Sequence, residues 1–227
     1  NCETVGEKKL LPRRVSYPRF DLHPPVRLIA EGEMQTGVEP AQLWKDRSLV
    51  NIGPQLGGFP ENDLECVVSN ELQTISTKER REIGQPYPWG TPVALQKNRF
   101  TILDLGTNLS GFIGGKVKCL EKTRLYLTFD EILSEGDVDW KRLGCVNAVL
   151  FELEKGEYEL ESFEPYTLRY LKAIVLEGSC EIETLYLRDY VNPDTEAAHF
   201  ASSDPRLNRL FEAGRQTFAQ NAVDVFM

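Results

Sequence analysis

Carboxylates grouped near an aromatic ring are the feature of this sequence that most suggests chemistry. Asp130 and Glu131 close a well-patterned strand, and Asp137, Asp139 and Trp140 follow in the loop behind it. An exposed indole there could stack on the apolar face of a sugar while carboxylates accept its hydroxyls. Trp140 has a second reading, as a plug for the end of a core, because Trp is highly buried on average. Trp89, in the Pro- and Gly-rich run 85–92, carries the same two readings. The candidate substrate-binding residues are therefore Trp140, Asp139, Asp137 and Trp89. The carboxylates lack a His partner, a metal motif or a recognisable nucleophile, so the expected role is contact rather than catalysis.

Other groupings that tempt a chemical reading have plainer ones. Glu152, Glu154, Glu157, Glu159, Glu161 and Glu164 crowd one region. Acid–base hydrolysis of a glycoside needs one protonated and one ionised carboxyl group across a cleft, not many along one strand. Glu157, Glu159 and Glu161 alternate with Tyr158, Leu160 and Ser162, which puts them on one solvated sheet face. The glycines in 110–116 do not make a phosphate loop. Ser110 stands where the first Gly is required, and Val117 follows Lys116 in place of Ser or Thr. The five cysteines, Cys2, Cys66, Cys119, Cys145 and Cys180, are widely spread, with only His23 and His199 to join them. No C-x-x-C pair exists, so no zinc site and no cofactor is expected. Cys119 and Cys180 lie in or beside apolar runs and read as reduced core thiols.

The elements that must position these groups are mostly strands. Pro12, Pro18, Pro24 and Pro25 keep residues 1–25 irregular and extended. A short strand is expected over 26–30. Prolines and glycines mark loops at 53–60 and 85–92, with one or two strands over 64–75 between them. From residue 99 the pattern sharpens. Residues 100–105 and 109–117 read as two strands joined by Gly106, Thr107 and Asn108. In 124–131, Leu125, Leu127 and Phe129 share one face while Tyr126 and Thr128 take the other. Residues 146–153 and 158–162 flank a hairpin-like turn, and 170–176 and 182–191 complete the set. Many short strands without intervening helices predict an antiparallel β-sandwich of jelly-roll or concanavalin type. Parallel units would need helical crossovers. At the C-terminal end, Asp204 and Pro205 form a helix start. Leu207, Leu210, Phe211, Gly214 and Phe218 then share a helical face. An amphipathic helix at the end of the chain predicts truncation of a larger protein, because its stripe would otherwise be an association-prone patch; the alternative is a C-terminal helix folding back on the sandwich.

Charge narrows the classes of partner. Twenty-six basic against 35 acidic residues leave a net charge of -9, which disfavours nucleic acid. No apolar run approaches the roughly 20 residues that span a bilayer, and the polar opening lacks the apolar segment of a signal peptide. The compartment, cytoplasmic or periplasmic, is not encoded here.

In this setting four ordered motifs resemble the bacterial α-L-rhamnosidases. Asp104, Gly106, Asn108 and Gly111 match that family's Asp-x-Gly-x-Asn-x-x-Gly strand pair. Asp130 and Glu131 are similar to its acidic strand end. Tyr158 through Tyr166, then Leu168, Arg169, Tyr170 and Leu171, look like its Tyr-x-Pro and Phe-Arg-Tyr strands. The run 200–210, with Ser203, Asp204, Pro205 and Arg206, looks like the entry into its catalytic domain. The match covers roughly residues 100–227, with looser agreement over 12–33 and none over 34–97. The resemblance implies an inverting hydrolase of terminal α-L-rhamnose whose two carboxylates sit in an (α/α)6 barrel beyond these residues. No position here matches a catalytic one.

The expected organisation is an irregular lead-in and loop-rich segment with a few strands over 1–98, a sandwich over 99–193, and over 194–227 a linker with the first helix of a truncated α-helical catalytic domain. The expected function is the non-catalytic sandwich of an α-L-rhamnosidase-like hydrolase, packed against that missing domain and serving its carbohydrate substrate. A free-standing carbohydrate-binding or interaction module is the alternative.

Overall fold

The computed structural model describes residues 6, 15–37, 43–44 and 69–223. They fall into two compact units, one formed by Leu22–Asp189 and one by Asn1–Asp21 together with Tyr190–Met227.

The first unit is an antiparallel sandwich of ten strands. They are β1 (Leu22–His23), β2 (Arg27–Thr36), β3 (Ile75–Pro86), β4 (Val93–Gln96), β5 (Arg99–Cys119), β6 (Thr123–Asp130), β7 (Ala148–Leu153), β8 (Gly156–Glu161), β9 (Tyr166–Glu177) and β10 (Ser179–Asp189). A single helical turn, α1 (Asn70–Thr74), precedes β3. The strand β5 explains how one hydrogen-bonded network makes two layers. Its first part, Arg99 to Asp104, pairs with β2 on one side and β9 on the other. Its last part pairs with β10 and β8. The switch falls at residues 105–108, where the β9 ladder skips from Asp104 to Leu109. Gly106 sits there at φ +85°, a conformation glycine adopts without strain. Its N–H donates to Asp104 Oδ1 at 2.7 Å. The two strands expected on either side of Gly106, Thr107 and Asn108 are therefore one continuous strand that changes partners.

Alternation of side chains builds the core from these pairings. Leu125, Leu127 and Phe129 of β6 are buried in the inter-layer cluster with Leu171, Ala173 and Val175 of β9, as their period-2 spacing requires. The opposite face of the same strands is buried too. Tyr126 and Ile174 join Ala30, Met34, Leu72, Phe100, Ile102, Val138 and Leu176 in a second cluster. Leu72 comes from α1 and Val138 from the β6–β7 loop, so those two segments cover the outer face of the layer.

Several local expectations change. Residues 70–74, expected as strand, form α1, and 64–68 lie outside the described residues. β2 and β3 pair along nearly their whole length and β2 pairs with β5, so the sheet expected from residue 99 also includes 27–36 and 75–86. β3 carries charge on both faces (Lys78, Glu79, Arg80, Arg81, Glu82), which hid its strand character. At Gly32 of β2 the neighbouring backbone approaches closely. A Cβ there would run into the Glu79 carbonyl and the Phe100 ring.

The second unit carries the C-terminal helix α2 (Pro205–Asn221). Asp204 caps it, its Oδ1 accepting the Arg206 N–H at 2.9 Å, with Pro205 in the first turn. Phe200 stacks on Phe211 at 5.2 Å between centroids. Asn192 Nδ2 donates to the Ala222 carbonyl at 2.7 Å. Leu210 is 70% exposed and Phe218 51% exposed, along the apolar stripe read from the sequence.

Candidate functional site

The β6–β7 loop folds back over the outer face of the sandwich because its polar residues bond at short range. Ser134 and Asp137 pair across Glu135 and Gly136, both at positive φ. Asp139 Oδ1 accepts the Lys141 N–H at 3.0 Å. Arg142 then ties the returning chain to the end of β6. Its Nε bonds both carboxylate oxygens of buried Asp130, at 2.8 and 2.6 Å, and its Nη2 reaches Glu131 at 3.0 Å. Hydrogen bonding to Asp130, then to Glu131, holds the Arg142 guanidinium far above its ordinary value despite some burial. Asp130 and Glu131 thus act as a clasp for the loop; Glu131 also accepts from Asn108 at 2.8 Å.

Between this loop and the sheet lies a cavity of about 240 Å³. Thr128, Lys172, Ile174 and Met34 line it from the sheet, Leu72, Ile75, Ser76 and Thr77 from α1 and β3, and Asp137, Asp139 and Trp140 from the loop. Lys172, 4% exposed, is its unusual residue. Its ammonium bonds both Asp137 oxygens at 2.8 Å and Thr77 Oγ1 at 3.1 Å, and lies 4.1 Å from the Phe100 ring centroid. Asp137 also accepts from Thr77 and from the Val138 N–H, each at 2.7 Å.

Burial opposes both charges, and the outcome differs between the partners. For Asp137, burial works to raise the carboxyl but is outweighed by the Lys172 charge and by three donors, so it is held below its ordinary value. For Lys172, burial wins over Asp137's attraction, with Arg80 adding to it, and the ammonium is easier to deprotonate than usual. The carboxylate is well solvated by donors, whereas the ammonium sits against an aromatic ring in a sheet. We take the pair as one in which burial costs about as much as the attraction returns.

Of the four sequence candidates, three line this cavity: Asp137, Asp139 and Trp140. Asp137 has all its accepting positions filled and serves as an anchor. Asp139 keeps Oδ2 without a partner among the described residues. Trp140 is half-buried against the outer cluster, with Trp44 meeting it edge-on at 5.6 Å and the Lys141 ammonium 5.2 Å from its ring. It packs against the outer cluster and also forms part of the cavity wall. Trp89 is elsewhere, 52% exposed on the turn before β4. Lys172 was missed by sequence reading. Its only signal was a lone cation inside the apolar run of β9, facing the same side as Tyr170 and Ile174.

The crowded glutamates have the solvated placement expected of them. Glu157, Glu159 and Glu161 are exposed on β8, and the first two pair with Lys118 and Lys116 of β5 at 2.9 and 3.0 Å. Among the described residues no group of three or more His, Cys, Asp or Glu is placed to hold a metal, and no helix is long and apolar enough to cross a membrane.

No protein-family model matches the sequence, and no curated protein matches it. Solved structures do share the fold. A GH78-family rhamnosidase of Bacillus sp. GL1 aligns with a TM-score of 0.58 at 23% identity, over 67% of this chain and 17% of its own. A rhamnosidase from Klebsiella oxytoca with rhamnose bound aligns with a TM-score of 0.58 at 16% identity, over 92% of this chain and 36% of its own. The present chain thus spans well under two thirds of either protein. At these identities the similarity is one of fold, to the β-sandwich regions of such proteins.

Proposed function

We propose that this chain is the non-catalytic β-sandwich portion of an α-L-rhamnosidase-like glycoside hydrolase that removes terminal α-L-rhamnose from glycans or glycosides. The observation that carries the proposal is the fold shared with the Klebsiella oxytoca rhamnosidase over 92% of the chain. The ordered motifs from Asp104 to Arg206 support it from the sequence side. The two carboxylates of the reaction belong to an α-helical domain outside these 227 residues, and the apolar stripe of α2 is a surface that such a domain covers. Hydrolysis with inversion needs an acid and a base about 6.5–9.5 Å apart on opposite sides of the scissile bond. The glutamates of β8 lie on a solvated sheet face, and Glu157 and Glu159 pair there with Lys118 and Lys116.

The cavity beside Trp140 adds a carbohydrate contact on the sandwich, with the indole edge as apolar wall and Asp139 Oδ2 as acceptor. Trp89 offers a separate exposed ring. A free-standing carbohydrate-binding module is the second reading, and the cavity is what favours it. One experiment separates the two: an aryl α-L-rhamnoside is offered to the purified chain and to the intact parent, and L-rhamnose is titrated into the chain. Turnover by the parent with a silent short chain is the expected result. Turnover by a rigorously purified short chain would overturn the non-catalytic assignment. A parent inert on every α-L-rhamnoside, with a chain that still binds sugar, would establish the module instead.

A further inference from the structure

Among the described residues, two buried cysteines face each other. Cys119 ends β5, Cys180 lies near the start of β10, and the antiparallel register places them as direct partners. Their neighbours fix which kind of pair this is. The Leu120 N–H donates to the Ser179 carbonyl at 3.1 Å, so residues 120 and 179 are a hydrogen-bonded pair. The next pair along an antiparallel ladder, Cys119 with Cys180, is then non-hydrogen-bonded. In such pairs the Cα atoms are about 4.5 Å apart and the side chains stand closest. A disulfide needs Cα atoms roughly 4.4–6.8 Å apart. Both side chains point into the inter-layer core, each 2% exposed. Burial and the adjacent Cys119 push the Cys180 thiol up to about 12, so in the folded chain it stays protonated and unreactive at neutral pH.

We propose that Cys119 and Cys180 are a disulfide site, joined across the strands when the chain folds in the presence of a small-molecule disulfide such as oxidised glutathione. One protein thiolate attacks the small disulfide, releases one small thiol and leaves a mixed disulfide. The second protein thiolate attacks that bond and releases the other small thiol. Two protein S–H groups are lost, one S–S bond forms, and the small disulfide is reduced to two thiols. Because the folded core shields both sulfurs, the step belongs to folding and not to the finished sandwich. The product closes the loop 120–179, which contains β6, β7, β8 and β9, and ties the two strands of one layer at their shared end.

The test uses the whole 227-residue chain. It is unfolded with its thiols reduced, refolded in a glutathione redox buffer, alkylated with iodoacetamide and digested without reductant for mass spectrometry. The expected product is a Cys119–Cys180 peptide pair about 2 Da lighter than the sum of its parts, with Cys145 alkylated. Chain refolded with reductant and only then exposed to oxidised glutathione should show the link many-fold less. The oxidised chain should melt roughly 5–10 °C above the reduced one. Recovery of both cysteines alkylated from correctly refolded protein, or their linkage to other cysteines, would overturn the proposal. So would a fall in melting temperature on forming the link, since that would show the native register does not fit the bond.

Discussion

Asp137 and Lys172 show how one buried pair can be indispensable in its parts and nearly neutral as a whole. Replacing Asp137 by Asn leaves the Lys172 ammonium in the sheet without its counter-charge, and should cost about 3 kcal/mol by denaturant titration. Replacing both, Asp137→Asn with Lys172→Met, removes the stranded charge and should recover most of that loss. A double variant no better than the single would mean that the pair itself stabilises the fold. The pH dependence has a definite sign. Asp137 and Asp104 are both held below the ordinary carboxylate value in the fold; for Asp104 the donors from Arg169 and Gly106 outweigh burial. The unfolded chain therefore takes up protons first on acidification. The stability these groups contribute is complete above about pH 5, is lost as pH falls through about 4 and continues to fall toward the folded-state values. Lys172 has the same sign in a different pH range: its lowered value makes burial of the ammonium a constant cost at neutral pH, relieved only as pH rises toward about 10.4. Urea midpoints between pH 2 and 7 should accordingly show an acid limb, shallower in Asp137→Asn.

Among the elements, β6 is the clearest case of a strand readable from its own residues. Leu127 is buried on the inner face between β7 and β9, so Leu127→Ala should cost roughly 2–5 kcal/mol, with a loss under about half a kcal/mol indicating a different register. Gly32→Ala probes the outer layer. The added methyl meets the Glu79 carbonyl and the Phe100 ring, and the β2–β3 pairing should loosen by about 1–3 kcal/mol. β5 through β10 and α2 were legible because alternation, turn residues and a helix cap each act over a few neighbouring residues. β3 was not, because its pairing with β2 is decided by a partner far away in sequence while its own side chains are charged on both faces. The continuity of β5 through Gly106 was hidden for a related reason. A glycine-containing triplet marks a turn locally, and only the exchange of β9, β2, β10 and β8 as partners makes it a bend within one strand. Asp139 and Trp140 were recognisable as a loop pairing of acid and aromatic. Lys172 was not, since its significance depends on Asp137 and Thr77 approaching from other elements.

At the scale of the whole molecule, the exposed stripe of α2 is the feature that the sandwich does not explain. Leu207, Leu210 and Phe218 stand on the solvent side of a helix whose capped start and regular spacing mark it as a stable element. Next to them the helix and residues 192–198 form a groove of about 510 Å³, lined by Ala198, Leu210, Phe211 and Phe218. Apolar surface of this kind is retained where another surface covers it, and association follows when it is left open. The isolated chain should therefore self-associate with concentration in sedimentation velocity. Leu210→Glu with Phe218→Glu should return it to monomer without altering the melting of the sandwich. If the parent is the rhamnosidase-like hydrolase proposed above, the same pair of substitutions should lower its activity and thermal stability together, because two charges would then face the domain proposed to cover the stripe. A parent that tolerates both substitutions unchanged would make the stripe ordinary surface and leave α2 without a role in docking.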